Sequence, residues 1–403
     1  MFPTELFTNR RILVGITGCI AAYKSCELIR YLKTRGATVR VMMTASAEQF
    51  ITRLTLETLS REPVAVEMFP GHFAATHHIE LADWAEAAII APATANILAK
   101  AARGLADDLV STVLLALHCP VVFAPAMNSH MWENPAVQEN VALLRERGYL
   151  ICEPEEGFLA EGYSGVGRLA RPEHLVQYLY RAAHPASRSL EGKTVLITAG
   201  ATREFVDPVR MLTNRSTGKM GFALAWEAFA RGARVILIHG PTELTPPAEV
   251  EAHAVVSAEE MYAAVEQRFP EADIFISAAA VADYRPVERA AHKLKKGKQP
   301  LALTLERTPD ILQAMSRQRK AHQRLVGFAV ETDSPRENAL KKLENKNLDV
   351  VVLNNPLESG AGFATDTNRV TLFSRTEERQ LKTMYKLDVA REIFNFLLSD
   401  QPK

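Results

Sequence analysis

Short apolar runs of strand length recur along the chain, each followed by the three-to-four-residue spacing of an amphipathic helix. In the first half the runs fall at 11–16, 38–43, 88–91, 121–124 and 149–152. Helical spacing fills the intervals: from residue 18 to 32, where Gly36 fits a stop, then 77–86, 96–103, 137–147 and a closing segment at 172–183. Strands alternating with helices predict a right-handed parallel unit. The polar, proline-containing stretch 184–189 then breaks the pattern, and it restarts. Strands follow at 193–198, 233–239, 274–278, 325–329 and 350–354, with 370–373 added. Helices fit at 221–231, 258–269, 309–318, 335–346 and 388–398. The pattern predicts two doubly wound, Rossmann-like α/β domains, residues 1–190 and 191–403, joined near residue 187.

Open parallel sheets bind ligands beyond the carboxyl ends of their strands. One such end, after the run 121–124, carries Ala126, Met127, Asn128, Met131 and Trp132. An asparagine there offers a donor and an acceptor to a planar polar group. It also suits a turn in which the side chain bonds its own backbone. These residues alone leave both readings open. The glycine turns are not dinucleotide fingerprints. Gly15-Ile16-Thr17-Gly18 lacks the G-x-G-x-x-G spacing, and the following strand ends in Thr44-Ala45-Ser46, without an acid for a ribose diol. The corresponding strand of the second domain ends His239-Gly240-Pro241, again without one. Hydroxyls at Thr44 and Ser46 beside a helix start suit a monophosphate such as that of FMN.

Composition narrows the class. A 403-residue chain with 47% hydrophobic and 23% charged residues is that of an ordinary soluble globular protein. Its zero formal net charge argues against a broadly basic nucleic-acid surface. No run approaches the roughly 18 apolar residues of a membrane span, and residues 1–11 lack a signal-peptide core. Cys19, Cys26, Cys119 and Cys152 lie far apart without metal-ligand spacing, which fits a reducing, cytoplasmic setting.

Several stretches are specific enough to carry a resemblance. In the first half they are Gly15-Ile16-Thr17-Gly18 with Ile20-Ala21-Ala22-Tyr23-Lys24, His78-Ile79-Glu80-Leu81, residues 91–96 (APATAN) and 125–128 (PAMN). This half resembles the flavin-dependent cysteine decarboxylase family. In the second half they are 197–204 (ITAGATRE), 207–210 (DPVR), 214–221 (NRSTGKMG), 279–284 (AAVADY), 293–296 (KLKK) and 346–349 (KNLD). In this order the chain resembles the bacterial bifunctional family that joins phosphopantothenoylcysteine decarboxylase to phosphopantothenate–cysteine ligase. The resemblance spans residues 10–398.

For the first half the resemblance implies FMN as oxidant of a cysteine thiol. The thioaldehyde so formed lets the neighbouring carboxylate leave, and the flavin then returns its hydride. His78 is implied as the base and Asn128 as the clamp on the substrate carboxylate. Gly18, Cys19, Ile20, Thr44, Ser46, Ala93, Thr94, Ala95, Asn96 and Ala126 are implied FMN contacts. Thr94 or Asn96 also suits a plain helix cap. One departure stands out. Where the family's mobile loop reads Gly-x-Leu-Ala-Cys-Gly, residues 157–162 read Gly-Phe-Leu-Ala-Glu-Gly, followed by Gly165-Val166-Gly167-Arg168. The family's proton-donating cysteine is Glu161. Either Glu161 is the donor, its pKa raised by desolvation under a closed lid, or the reaction stops at the enethiol, or this half is inactive. The retained His78, Asn128 and lid glycines favour the first.

For the second half the resemblance implies activation of a carboxylate by CTP to an acyl-cytidylate, which cysteine then attacks. Asn214 is implied in processing that intermediate. Implied CTP contacts are Ser277, Ala278, Ala279, Asp283, Lys293, Pro309, Asp310, Ile311, Leu312, Phe328, Lys342 and Lys346. Asp283 reaches the nucleotide directly or through Mg²⁺, a hard cation that takes oxygen ligands. Lys293, Lys295, Lys296 and Lys298 form a basic run, the usual form of a solvated loop. Lys342 and Lys346 share a helix face. Ser216-Thr217-Gly218-Lys219 is only superficially a Walker loop, since the leading glycine is absent and Met220 replaces the Ser/Thr. The expected partners are 4′-phosphopantothenate, cysteine and CTP, with neither nucleic acid nor membrane. The family implies a homo-oligomer of trimeric flavin and dimeric ligase domains. The competing readings are a ligase with an altered flavin domain and a non-catalytic flavin-binding regulator. The second lacks the long acidic tail of such regulators and leaves the ligase motifs unexplained.

Overall fold

The computed structural model describes residues 6–69, 76–160, 162–247, 249–296, 301–330, 333–354, 362 and 365–399. The chain divides into two compact units, one ending at Ser187 and the other taking up the chain from Arg188.

The first unit holds a sheet of β1 (Arg11–Ile16), β2 (Thr38–Met43), β3 (Val64–Ala65), β4 (Ala87–Ala93), β5 (Val121–Pro125) and β6 (Leu150–Ile151). Their order is β3-β2-β1-β4-β5-β6, and every pairing is parallel. The order reverses between β1 and β4, the position where doubly wound sheets open a ligand crevice. All seven residues of β4 are buried, as expected of a strand covered on both faces. Three helices escape the periodicity argument, among them the single turn Ser129–Trp132. Leu109–Ala116 is apolar at six of its eight positions; Leu109, Val110, Val113 and Leu114 join the core while Leu115 is exposed, and a capping box from Asp108 and Ser111 starts it. Arg53–Ser60 is short and capped by Thr52. A hairpin of β7 (Glu155–Phe158) and β8 (Ser164–Arg168) follows β6.

The second unit repeats the topology. Its strands are β9 (Thr194–Ala199), β10 (Arg203–Phe205), β11 (Met211–Thr213), β12 (Arg234–His239), β13 (Glu251–Ala254), β14 (Ile274–Ser277), β15 (Tyr284–Pro286), β16 (Leu305–Arg307), β17 (Arg324–Val330), β18 (Val350–Asn354), β19 (Thr367–Asn368), β20 (Val370–Phe373) and β21 (Glu378–Gln380). The main sheet runs β13-β12-β9-β14-β17-β18-β20-β21. Its first six strands are parallel, and β20 and β21 add antiparallel, so this sheet is mixed where the sequence pattern predicts a parallel one. The reversal falls between β9 and β14. The helix Lys219–Ala230 lies tight against β9, because a Cβ on Gly221 would meet the Ala199 Cβ at 2.4 Å.

Among the described residues, no helix is long and apolar enough to cross a membrane, and none of the four cysteines is in a disulfide.

Candidate functional sites

In the first unit the turns after β1, β2, β4 and β5 converge at one edge of the sheet. The Thr17 hydroxyl donates to the Pro92 carbonyl at 2.8 Å and accepts from the Thr94 N–H at 3.1 Å, tying the β1 turn to the β4 turn. The Ala126 N–H donates to the Ala93 carbonyl at 3.1 Å. Gly18 lies so close to Ser46 that a Cβ would stand 2.5 Å from the Ser46 Cβ. The Thr44 Oγ1 beside them is buried without a hydrogen-bond partner. Thr94 caps the helix Ala95–Arg103 by accepting from the Ile97 N–H. Gly18, Thr44, Ser46, Ala93, Thr94 and Ala126 therefore share one edge, with Ala95 and Asn96 in the first turn of that helix.

A cavity of about 550 Å³ opens from this edge. Cys19, Ile20, Ala126 and Asn128 line it, together with Lys24 and Arg168. Asn128 serves the turn and faces the cavity at once. Its Oδ1 accepts from the His130 N–H at 2.9 Å, starting the helix Ser129–Trp132, and its Nδ2 donates to the Tyr163 hydroxyl at 2.6 Å. The β7–β8 hairpin lies directly on this turn. The Met127 N–H donates to the Gly167 carbonyl at 3.0 Å. A Cβ on Gly167, whose φ is +154°, would come within 2.1 Å of the Met127 carbonyl oxygen. Gly167 thus lets one backbone lie flush on another, which a side chain would prevent. Lys24 and Arg168 give the cavity a positive end. Burial, then the Arg168 charge, lowers the Lys24 pKa, and its ammonium donates to the Leu169 carbonyl at 3.3 Å.

His78 is not in this lining. It is in the first turn of the helix His77–Trp84, half-buried, with its Nδ1 buried and unpartnered. Glu161 lies outside the described residues, as do Lys298 and its immediate neighbours.

In the second unit the switch-point edge is polar and cationic. The Thr198 hydroxyl accepts from the Ala279 N–H at 3.3 Å, and the Gly200 carbonyl from the Ala280 N–H at 2.8 Å. The Asn214 Nδ2 straps the same loop, donating to the carbonyls of Ala280 at 3.0 Å and Val281 at 3.2 Å. Ser277 ends β14, half-buried. The Lys342 ammonium donates to the Phe328 carbonyl at 2.6 Å, and Lys346 pairs with Asp310 at 2.6 Å. Burial works against the Asp310 charge, but Lys346 and the Gln313 N–H hold its carboxyl below the usual range. Ile311 and Leu312 point into the core, so the turn from Pro309 offers a ligand its backbone and the Asp310 carboxylate. Asp283 and Lys293 are exposed. Ala278, Ala279 and Phe328 also line a second cavity with Lys219, Asn354 and Lys386.

Asp207, fully buried, organises the loop beside Lys293. It accepts from the N–H groups of Val209 and Arg210, each at 2.8 Å, from the Arg210 guanidinium and from the Leu294 N–H at 3.1 Å. The Arg210 guanidinium also donates to the Leu294 carbonyl at 2.6 Å. Burial alone would push the Asp207 carboxyl up. The donors from Val209, Arg210 and Leu294 outweigh that and hold it far below the usual carboxylate range. Sequence reasoning passed over Asp207, Tyr163, Lys24, Asn354 and Lys386. Lys24 and Asp207 lie inside recognised motifs, whereas Asn354 is a single residue in a stretch read only as strand and Lys386 lies just before the helix read at 388–398.

Two doubly wound units in one chain, the first with a cavity of about 550 Å³ at its switch point and the second with a polar, cationic edge there, define a two-domain α/β protein of the flavoprotein class. Residues 3–184 match the family described as Flavoprotein, and residues 190–400 the DNA/pantothenate metabolism flavoprotein C-terminal domain. The chain is 48% identical over 392 residues to the coenzyme A biosynthesis bifunctional protein CoaBC of Bacillus subtilis (strain 168), covering 96% of each chain. It is 44% identical to the protein of that name from Vibrio cholerae serotype O1 (strain ATCC 39315 / El Tor Inaba N16961), covering 98% of this chain and 99% of that one. With that of Escherichia coli (strain K12) it shares 41% identity, covering 98% of this chain and 96% of that one. The chain belongs to the family of coenzyme A biosynthesis bifunctional proteins.

Proposed function

We propose that the chain carries out two successive steps of coenzyme A synthesis in the cytoplasm. The second unit joins 4′-phosphopantothenate to cysteine with CTP, through an acyl-cytidylate. The first unit decarboxylates the resulting 4′-phosphopantothenoyl-cysteine to 4′-phosphopantetheine. The observation that carries this reading is the pairing of an Asn128 cavity, roofed by a glycine hairpin, with a separate lysine-rich crevice in the second unit.

The residues at the first edge fit FMN. Gly18 makes a cradle that a Cβ would fill, and Thr44 Oγ1 is a buried hydroxyl awaiting a partner. Gly18, Cys19, Ile20, Thr44, Ser46, Ala93, Thr94, Ala95, Asn96 and Ala126 would hold it. FMN bound there supplies the two-electron oxidation and reduction that this chemistry needs. Asn128 orients the substrate carboxylate for departure. Lys24 and Arg168 attract an anionic end of the substrate. The hairpin excludes water from the cavity it covers. Glu161 donates the final proton in place of a cysteine. His78, unpartnered at Nδ1, is the base. Its place outside the Asn128 cavity favours a homo-oligomer in which the His78 of a second copy completes the site.

In the second unit Lys342, Lys346 and Lys293 neutralise the CTP phosphates. Asp283 takes Mg²⁺ together with phosphate oxygens, as suits a hard cation that prefers oxygen ligands. Asn214 fixes the loop at Ala280 and Val281 on which the acyl-cytidylate rests.

The test supplies 4′-phosphopantothenoyl-cysteine directly and weighs the product. Wild-type chain yields 4′-phosphopantetheine. Glu161→Gln yields the enethiol, lighter by one hydrogen molecule. Full 4′-phosphopantetheine from Glu161→Gln removes Glu161 as the required donor.

A further inference from the structure

Asn128 is held at both ends of its amide. The Oδ1 accepts from the His130 N–H at 2.9 Å, and the Nδ2 donates to the Tyr163 hydroxyl at 2.6 Å. A backbone N–H can only donate, so the first contact decides which end of the amide is oxygen. The second fixes where the nitrogen points. An amide that pivots can turn its oxygen to an incoming carboxylate, which then meets another acceptor instead of a donor. The two bonds together orient the amide before a substrate arrives, and a group set in advance costs no ordering on binding.

Tyr163 reaches the amide from behind. Asn128 lines the cavity of about 550 Å³ and Tyr163 does not. The tyrosine closes the turn of the β7–β8 hairpin. There its carbonyl accepts from the Leu159 N–H at 2.8 Å, and the Leu159 carbonyl accepts from the Gly162 N–H at 3.1 Å. Gly162, at a φ of +91°, allows that turn. Leu159 is buried and lines the cavity. The Tyr163 ring lies 6.4 Å from the His130 ring, tilted by 43°, within the range of aromatic pairs. The ring and the turn place the tyrosine, and its hydroxyl alone reaches the amide. The hairpin that covers the cavity thus holds the side chain beneath it.

We propose that Tyr163 is a positioning residue of the decarboxylase: its hydroxyl holds the Asn128 amide with the nitrogen toward the substrate carboxylate, and so makes the cavity select a carboxylated ligand over a decarboxylated one. The proposal rests on the decarboxylase reading above, with Asn128 as the clamp. Once carbon dioxide has left, the product offers the clamp nothing to hold. The Tyr163 contact therefore favours substrate over product in the same cavity.

The test uses the full-length, flavin-loaded chain and a pair of analogues without the oxidisable thiol. 4′-Phosphopantothenoyl-serine keeps the carboxylate, and 4′-phosphopantothenoyl-ethanolamine lacks it. Binding is followed by the change in flavin absorbance, which reports the first unit and needs no turnover. The wild type should bind the serine compound more tightly. In Tyr163→Phe, which keeps the ring and alters a residue 39% exposed, that preference should narrow about three- to tenfold, the scale of one hydrogen bond. Affinity for the ethanolamine compound should move less than about twofold, since it makes no contact with the clamp. In Asn128→Ala the preference should already be reduced, and adding Tyr163→Phe should reduce it no further. Should Tyr163→Phe not fold, Tyr163→Leu carries the same expectations. Equal binding of the two analogues by the wild type sinks the clamp reading of Asn128 itself. A wild-type preference that Tyr163→Phe leaves unchanged overturns the proposal and lets that reading stand. Equal weakening of both analogues does so too, by giving the tyrosine a role only in the hairpin's structure. So does a further loss on top of Asn128→Ala, by giving the hydroxyl a carboxylate contact of its own.

Discussion

The two units share a strand order, and each opens a crevice where that order reverses, yet the crevices are furnished differently. In the first, the residues that shape the site are those that let backbone approach backbone. Gly18 rests on Ser46, and Gly167 lies flush against Met127. In the second, lysines reach across strand ends: Lys342 to the Phe328 carbonyl, Lys346 to Asp310, Lys386 to Gly362. An enclosing surface suits a reaction that must exclude water, whereas spread cations suit a polyphosphate that must enter and leave. The same scaffold thus supports different chemistries through what stands at the strand ends.

The sharpest way to break this comparison is to disable one unit and look for damage in the other. Asn128→Asp sets a carboxylate against the substrate carboxylate. Decarboxylation should fall by about 100-fold or more, with ligation unchanged; a comparable loss of ligation contradicts the separation of the two sites. Gly167→Val tests the enclosing backbone. The Met127 carbonyl cannot yield, so the hairpin must lift, and decarboxylation of 4′-phosphopantothenoyl-cysteine should fall by about tenfold or more. Gly165→Ala should be milder, because its Cβ would meet the Ser129 Oγ, the end of a side chain that can rotate. In the other crevice, Lys342→Met and Lys346→Met should each raise the KM for CTP by about tenfold, the scale of one charge-assisted contact. The decarboxylase assay should not register either change.

The smallest effect concerns acid. The folded Asp207 holds its proton less tightly than an unfolded aspartate. Its stabilising contribution is therefore complete above the ordinary aspartate pKa, about 3.9, and is lost as pH falls through the lower folded value. Asp207→Asn should flatten this acid-side loss in an unfolding titration of the second unit. It should also release the Lys293 loop and raise the KM for CTP by a few-fold.

Much of this was legible in the chain. The strand and helix runs came through because buried parallel strands are apolar without interruption and their covering helices are amphipathic. Leu109–Ala116 did not, since its apolar residues continue past the core face to the exposed Leu115 and leave no polar face to set a period. β20 and β21 reverse direction in a way no local pattern specifies. The motifs marked Gly18, Asn128, Asn214 and the lysine pair, because turns and strand ends are local. Tyr163, which meets Asn128 from 35 positions away, and Lys386, which joins Lys219 across the fold, are products of tertiary contact. No spacing rule reaches them.

The central claim is that one chain performs both steps. The direct measurement incubates the purified chain with 4′-phosphopantothenate, cysteine, CTP and Mg²⁺ and follows the products by mass over time. The account predicts transient 4′-phosphopantothenoyl-cysteine followed by 4′-phosphopantetheine. Accumulation of 4′-phosphopantothenoyl-cysteine with nothing beyond it would contradict it.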